Sequence, residues 1–247
     1  MNQPPNAKMT TCTNCNYEVA LNYCPNCGQP AKVKRIDAHY ITHEIEHVLH
    51  FERGILYTIR ELLIRPGDNV RNFIAGHRSR LVKPIIFIII TSLIYSIITH
   101  LFHIESGYVQ YRGDKENGIS HIFEWVEGHY GYSNIIMGVF IALWAKLFFR
   151  KYNYNFFEIL ILLCFVMGIG MLFFAFFTLL QGITHIELTS VAGIIFIFYC
   201  SWAMGHFFDK KKTGNYFKAL GAYILGMLTF AIVAILLGVG IDAVIKH

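Results

Sequence analysis

The chain has 247 residues, of which 55% are hydrophobic and only 15% charged. A soluble globular domain carries about 25% charged residues, so that class is excluded. The formal net charge of +5 is unevenly placed, concentrated before Pro84 and in short loops, and so reads as membrane topology rather than as a nucleic-acid surface.

No basic stretch followed by an apolar one opens the chain at Met1, so the first membrane segment is expected to direct insertion. Four of the six cysteines fall within the first 27 residues. Cys12, Cys15, Cys24 and Cys27 make the pattern C-x2-C-x8-C-x2-C, followed by Gly28. Each C-x2-C pair forms a tight knuckle that turns two sulfurs toward one point. Four thiolates so arranged favour tetrahedral Zn²⁺ with no position left for water, hence a structural site. So small a fold has almost no core, and metal binding would supply most of its folding free energy. Cys164 and Cys200 lie inside apolar runs and read as small hydrophobic residues.

After a basic linker at Gln29–Arg35, residues 37–64 read as helix with a break at Gly54. His39, His43, His47 and His50 recur at helical spacing and share one stripe, offering a second metal site. Within it, His43-Glu44-Ile45-Glu46-His47 matches H-E-x-x-H. In zinc peptidases this motif supplies two ligands and a general base, but the extension carrying a third His is missing after His47. Three readings stand: a partner-facing or membrane-surface helix, which is favoured, a non-catalytic metal or pH-responsive cluster, and a catalytic metal centre.

Pro66 suits the first turn of a new helix and Asp68 its positive end. Val70, Phe73 and Ile74 give that helix an apolar face, and Arg71, Arg78, Arg80 and Lys83 are expected to contact anionic lipid headgroups. Pro84 then opens the first span. From there to Phe102 no Asp, Glu, Lys or Arg occurs, and about 19 residues at 1.5 Å each nearly match a hydrocarbon core of roughly 30 Å.

Residues 103–132 are expected to form a polar and aromatic loop holding a short helix capped by Ser120. Trp125 would sit in an interfacial belt, and His100, His103, His121 and His129 read as solvated histidines. Further spans are expected at about 134–149, 156–180, 188–208 and 219–244. The loops at 150–155 and 209–218 are basic, and those at 103–132 and 181–187 are not. With five spans the basic loops share one side, which places the N-terminus in the cytoplasm and the C-terminus outside it. Within the spans, Lys146, Glu158 and Asp242 all lie near an end, so ion-coupled transport is disfavoured. Gly168, Gly170, Gly193, Ala222, Gly226, Ala234 and Gly238 allow close helix approach, within one chain in preference to between copies.

YCPNCGQ, RGILYT (Arg53–Thr58), RPG (Arg65–Gly67), GHR (Gly76–Arg78) and Lys83-Pro84 occur in that order. Together they resemble an uncharacterised bacterial membrane family, a domain of unknown function with a zinc ribbon followed by several spans. The resemblance covers residues 12 to about 100 and implies no activity. At the level of architecture alone the chain is similar to the Yip family of membrane-trafficking proteins, which have a Pro-bearing segment before five spans, and such likeness does not license function.

The fold expected is an all-α membrane protein. It comprises a tail and zinc ribbon (1–30), a linker with cytoplasmic amphipathic helices (31–83), and a five-helix transmembrane bundle (84–247). The function expected is a non-enzymatic scaffold or assembly factor of a bacterial inner membrane. Its partners would be the lipid bilayer and a protein docked on the ribbon, with a homo-oligomer left open and no nucleic acid. Two alternatives stand beside it: a metallo-enzyme using His43, Glu44 and His47, and a transporter or channel for a lipid or small solute.

Overall fold

The computed structural model describes residues 10–12, 15–20, 22–28, 54–77, 80–104 and 118–245. His39, Glu44, His43, His47, His50 and Arg78 lie outside these residues. The chain divides into two units, Met1–Glu52 and Arg53–His247.

In the first unit two short strands, β1 (Thr10–Thr11) and β2 (Glu18–Val19), pair antiparallel, with Thr10 opposite Val19 and Thr11 opposite Glu18. Its buried hydrophobic cluster consists of Cys12, Val19 and Cys24, packed by Cys15. With so little apolar material, the sulfurs are the core.

The described residues of the second unit form eight α-helices: α1 (Gly54–Ile64), α2 (Pro66–Ile74), α3 (Pro84–Leu101), α4 (Gly118–Gly128), α5 (Tyr130–Phe148), α6 (Phe156–Thr184), α7 (Thr189–Asp209) and α8 (Thr213–Ile245). Five of them, α3 and α5 to α8, are long and apolar enough to cross a membrane. The predicted count and order of spans hold, and the boundaries differ for local reasons. Helix α5 starts at Tyr130, ahead of the apolar run, because Tyr130 and Ser133 are buried and the Ser133 hydroxyl donates to the Val126 carbonyl at 3.3 Å. Helix α6 runs on to Thr184 and stops at His185, whose φ of +57° ends the helical path. It begins on a capping box: Asn155 Oδ1 accepts from the Glu158 amide at 2.9 Å, and Glu158 accepts from the Asn155 amide at 2.7 Å. Glu158 is therefore a cap.

Ser120 was expected to cap α4, but it is buried within the first turn of a helix that begins two residues earlier. The acceptor at the helix start comes from elsewhere in the fold: Asp242 Oδ1 takes the Gly118 amide at 2.7 Å. The two helices cross where side chains vanish. A Cβ on Gly118 would lie 2.5 Å from the Gly238 carbonyl, and one on Gly238 would lie 2.6 Å from the Ile119 Cα. Gly226 meets the Ile141 backbone as closely, and Gly168 and Gly170 admit the rings of Phe87 and Phe196. Of the small residues singled out in the sequence, Gly168, Gly170, Gly226 and Gly238 thus serve packing within the chain, while Gly193 has nothing within 4 Å of its missing Cβ.

Helix α6 is the axis of the bundle. Its Leu162, Leu163 and Phe165 are fully buried, and it packs most extensively against α3 while also touching α5 and α7. Every Lys and Arg among the described residues of this unit lies at one end, before Pro84, at Lys146–Lys151 and at Lys210–Lys218.

Candidate metal centre and helix junction

The knuckle that carries Cys12 and Cys15 is set by two backbone bonds, the Asn16 amide to the Cys12 carbonyl at 2.9 Å and the Cys12 amide to the Tyr17 carbonyl at 2.8 Å. Asn16 tolerates its positive φ of +57°, as Asn does more readily than most residues. The second knuckle closes through the Gly28 amide to the Cys24 carbonyl at 2.8 Å, with Gly28 at φ +73°, where a Cβ would be strained.

These turns bring four sulfurs together. Cys12 and Cys27 Sγ lie 3.5 Å apart, as do Cys15 and Cys24 Sγ, and all four fall within 4.8 Å of one another. Zn–S bonds of about 2.3 Å at tetrahedral angles separate sulfurs by about 3.8 Å, a spacing within the range this cluster spans. The Tyr17 backbone, then the Asn26 side chain, hydrogen-bonds the Cys15 sulfur and brings its pKa down to about 6. The shift favours the thiolate, the form that binds metal. Four sulfurs complete a tetrahedron and leave no place for a reacting water.

The second constellation lies at the basic end of the helical unit, where α2 meets the C-terminus of α7. Pro66 occupies the first turn of α2, as predicted, and the chain there packs so tightly that a Cβ on Gly67 would lie 2.5 Å from the His206 carbonyl carbon and the Phe207 nitrogen. The Gly67 amide donates to His206 Nδ1 at 3.3 Å, which leaves the ring proton on Nε2, facing Asp68 Oδ2 at 3.5 Å. Arg71 pairs with Asp68 and donates to the His206 and Phe207 carbonyls, the first at 2.7 Å. Lys210 Nζ lies 3.5 Å from Asp68. Burial alone would raise the Asp68 pKa, but the charges of Arg71 and Lys210, with the Arg71 hydrogen bond, outweigh it and hold the carboxyl below its ordinary value. The arrangement joins the positive end of α2 to the negative end of α7.

Arg71, expected at the lipid headgroups, has partners within the protein. Its guanidinium is engaged with protein carbonyls and a carboxylate, because the end of α7 presents unsatisfied carbonyls within its reach. The apolar face of α2 is likewise turned inward: Val70 and Phe73 are buried, and Phe73 meets Phe165 edge to face at 5.4 Å. Arg80 and Lys83 are exposed. The surface that sequence reasoning missed is on α1, where Leu56, Leu63 and Ile64 are exposed on a helix whose Thr58 and Leu62 are buried.

At the other end, Ser96, Thr99, His100, His103, Glu127 and Tyr130 are among the residues lining a cleft of about 530 Å³. Burial, then the Glu124 charge, raises the Glu127 pKa. His121 faces Glu124 and His129 stacks on Trp125, so the four histidines do not converge. Among the described residues, only the four cysteines form a cluster fit to hold a metal ion.

Fold and site together define a helical, multi-pass membrane protein with a candidate four-cysteine metal centre ahead of its bundle. Residues 52–96, which hold α1, α2 and most of α3, match the model of a family described as a protein of unknown function (DUF3667). No curated protein and no solved structure matches the chain significantly.

Proposed function

We propose that the protein is a non-enzymatic scaffold or assembly factor of a bacterial inner membrane, its four-cysteine ribbon a Zn²⁺-stabilised docking module for a protein partner. The observation that carries this reading is the closure of the metal centre: four sulfurs within 4.8 Å leave a bound ion no open position, so the ion holds a shape. On that shape Tyr17 and Tyr23 are 51% and 64% exposed, and such rings, apolar with a polar tip, would offer the partner its anchors. The concentration of Lys and Arg at one end of the helical unit supports an orientation with that end and the ribbon in the cytoplasm. Exposed Leu56, Leu63 and Ile64, with Arg80 and Lys83, would seat that end in the inner leaflet.

The test is metal content of the purified full chain beside a variant with Cys12, Cys15, Cys24 and Cys27 replaced by Ser, with a photo-crosslinker placed at Tyr17 or Tyr23 in cells. One zinc per chain, lost in the variant together with a crosslink to one defined protein, supports the reading. Zinc retained in full by the variant, or crosslinking indifferent to the four cysteines, refutes it.

A further inference from the structure

Methionine is scarce in the helical unit. Residues 53–247 contain five, Met137, Met167, Met171, Met204 and Met227, among dozens of Leu, Ile and Phe. All but Met204 line a single cavity of about 140 Å³ inside the bundle. They arrive from three helices: Met137 from α5, Met167 and Met171 one turn apart on α6, and Met227 from α8. Met137, Met167 and Met171 are no more than 3% exposed. The fifth is also in sulfur company, since the Cys200 thiol lies 3.6 Å from Met204 Sδ, and Cys200 sits one turn along α7 from Phe196 of the cavity wall.

An apolar void at this depth is filled as well by Leu or Ile, which this chain uses everywhere else. What a thioether adds is a soft lone pair. One of these sulfurs is already oriented: Asn134, fully buried, donates its amide to Met171 Sδ at 3.1 Å and toward Ser92 Oγ at 3.4 Å. The cavity wall contains no carboxylate, imidazole or ammonium. A divalent ion would lie there uncompensated, and the cost of burying charge rises steeply with its magnitude. A soft monovalent ion bears the smallest such cost, and thioethers are the ligands that select it. With three rotatable bonds each, the methionine side chains can close on an ion smaller than the space they line.

We propose that this cavity is a binding site for a soft monovalent cation of the Cu(I) type, held by the thioethers of Met137, Met167, Met171 and Met227. Silver(I) is a redox-stable probe of such a site. The experiment is a silver titration of the zinc-loaded full chain in detergent, followed through methyl-labelled methionines by NMR. The four cavity methyls are expected to shift together while Met1 and Met9 stay fixed. Met137→Leu with Met171→Leu conserves volume, so the fold should persist while silver affinity falls by more than the roughly tenfold cost of losing an outer-shell partner. Cavity methyls unmoved by silver in the folded wild type overturn the proposal. Methyls that respond to xenon and not to silver overturn it too, since they identify a plain apolar cavity.

Discussion

The Arg71 guanidinium reaches across 135 positions of sequence to the His206 carbonyl, at 2.7 Å, and so closes the free end of α7. The bond is charge-assisted, and the Arg71 side chain that makes it is half-buried. Arg71→Ala should therefore destabilise the helical unit by about 1.5–3 kcal/mol, the range for hydrogen bonds to a charged group. Arg71→Lys should recover part of it, because one ammonium cannot serve two carbonyls and Asp68 in the same geometry. Thermal unfolding in detergent measures both.

Gly67 offers a sharper contrast. Gly67→Ala puts a methyl 2.5 Å from the α7 backbone, which cannot yield as a side chain would, and should cost about 3 kcal/mol or separate α2 from α7. Gly214→Ala, in a helix with nothing within 4 Å of the new Cβ, should be neutral or gain up to about 1 kcal/mol. Limited proteolysis between α2 and α3 would report the first and leave the second unchanged.

Asp68 makes the junction sensitive to acid. Its native carboxyl lies below the ordinary value of 3.8, so its contribution is fully present above that value and is lost as pH falls through the depressed native one. A stability profile of the wild type should thus bend downward below pH 3.8 more steeply than that of Asp68→Asn. Parallel profiles for the two proteins would exclude the role.

Asp242→Ala removes the acceptor from the start of α4 and should cost about 1 kcal/mol, as a lost helix cap does. The damage should be local. Hydrogen exchange should quicken at Gly118–Ser120 while the amides of α6 keep their protection.

Chelation of a ribbon-bound metal should unfold β1 and β2 and expose Val19, whose burial depends on the cysteines around it. The unfolding temperature of the Arg53–His247 unit should not move, since among the described residues its core is built without the ribbon's cysteines.

What could be read in the sequence was what is local. Pro66 and Pro84 announce helix starts because a missing N–H is harmless only there, and both do open helices. The five spans follow from uninterrupted apolar length, and the sulfur cluster from C-x2-C spacing, since each knuckle is made by neighbouring residues. The partners of Arg71 and Asp242 were not legible for the opposite reason. Each is claimed by a backbone group more than 100 positions away, and hydropathy treats a charge near a membrane end as bound for lipid or water. The methionine cavity was equally hidden, because Met137, Met167, Met171 and Met227 share no period and meet only once three helices have packed.

The bond between Gly118 and Asp242 sets a timetable for biosynthesis. The segment that becomes α4 leaves the ribosome early, yet the carboxylate that completes its first turn is among the last groups of α8 to be translated. The same delay applies to α2, which waits for the fourth span before Arg71 finds its carbonyls. One end of the bundle is therefore sealed once the fourth span is made and the other only with the last turns of the fifth, so a nascent chain stalled short of residue 242 carries α4 unfinished.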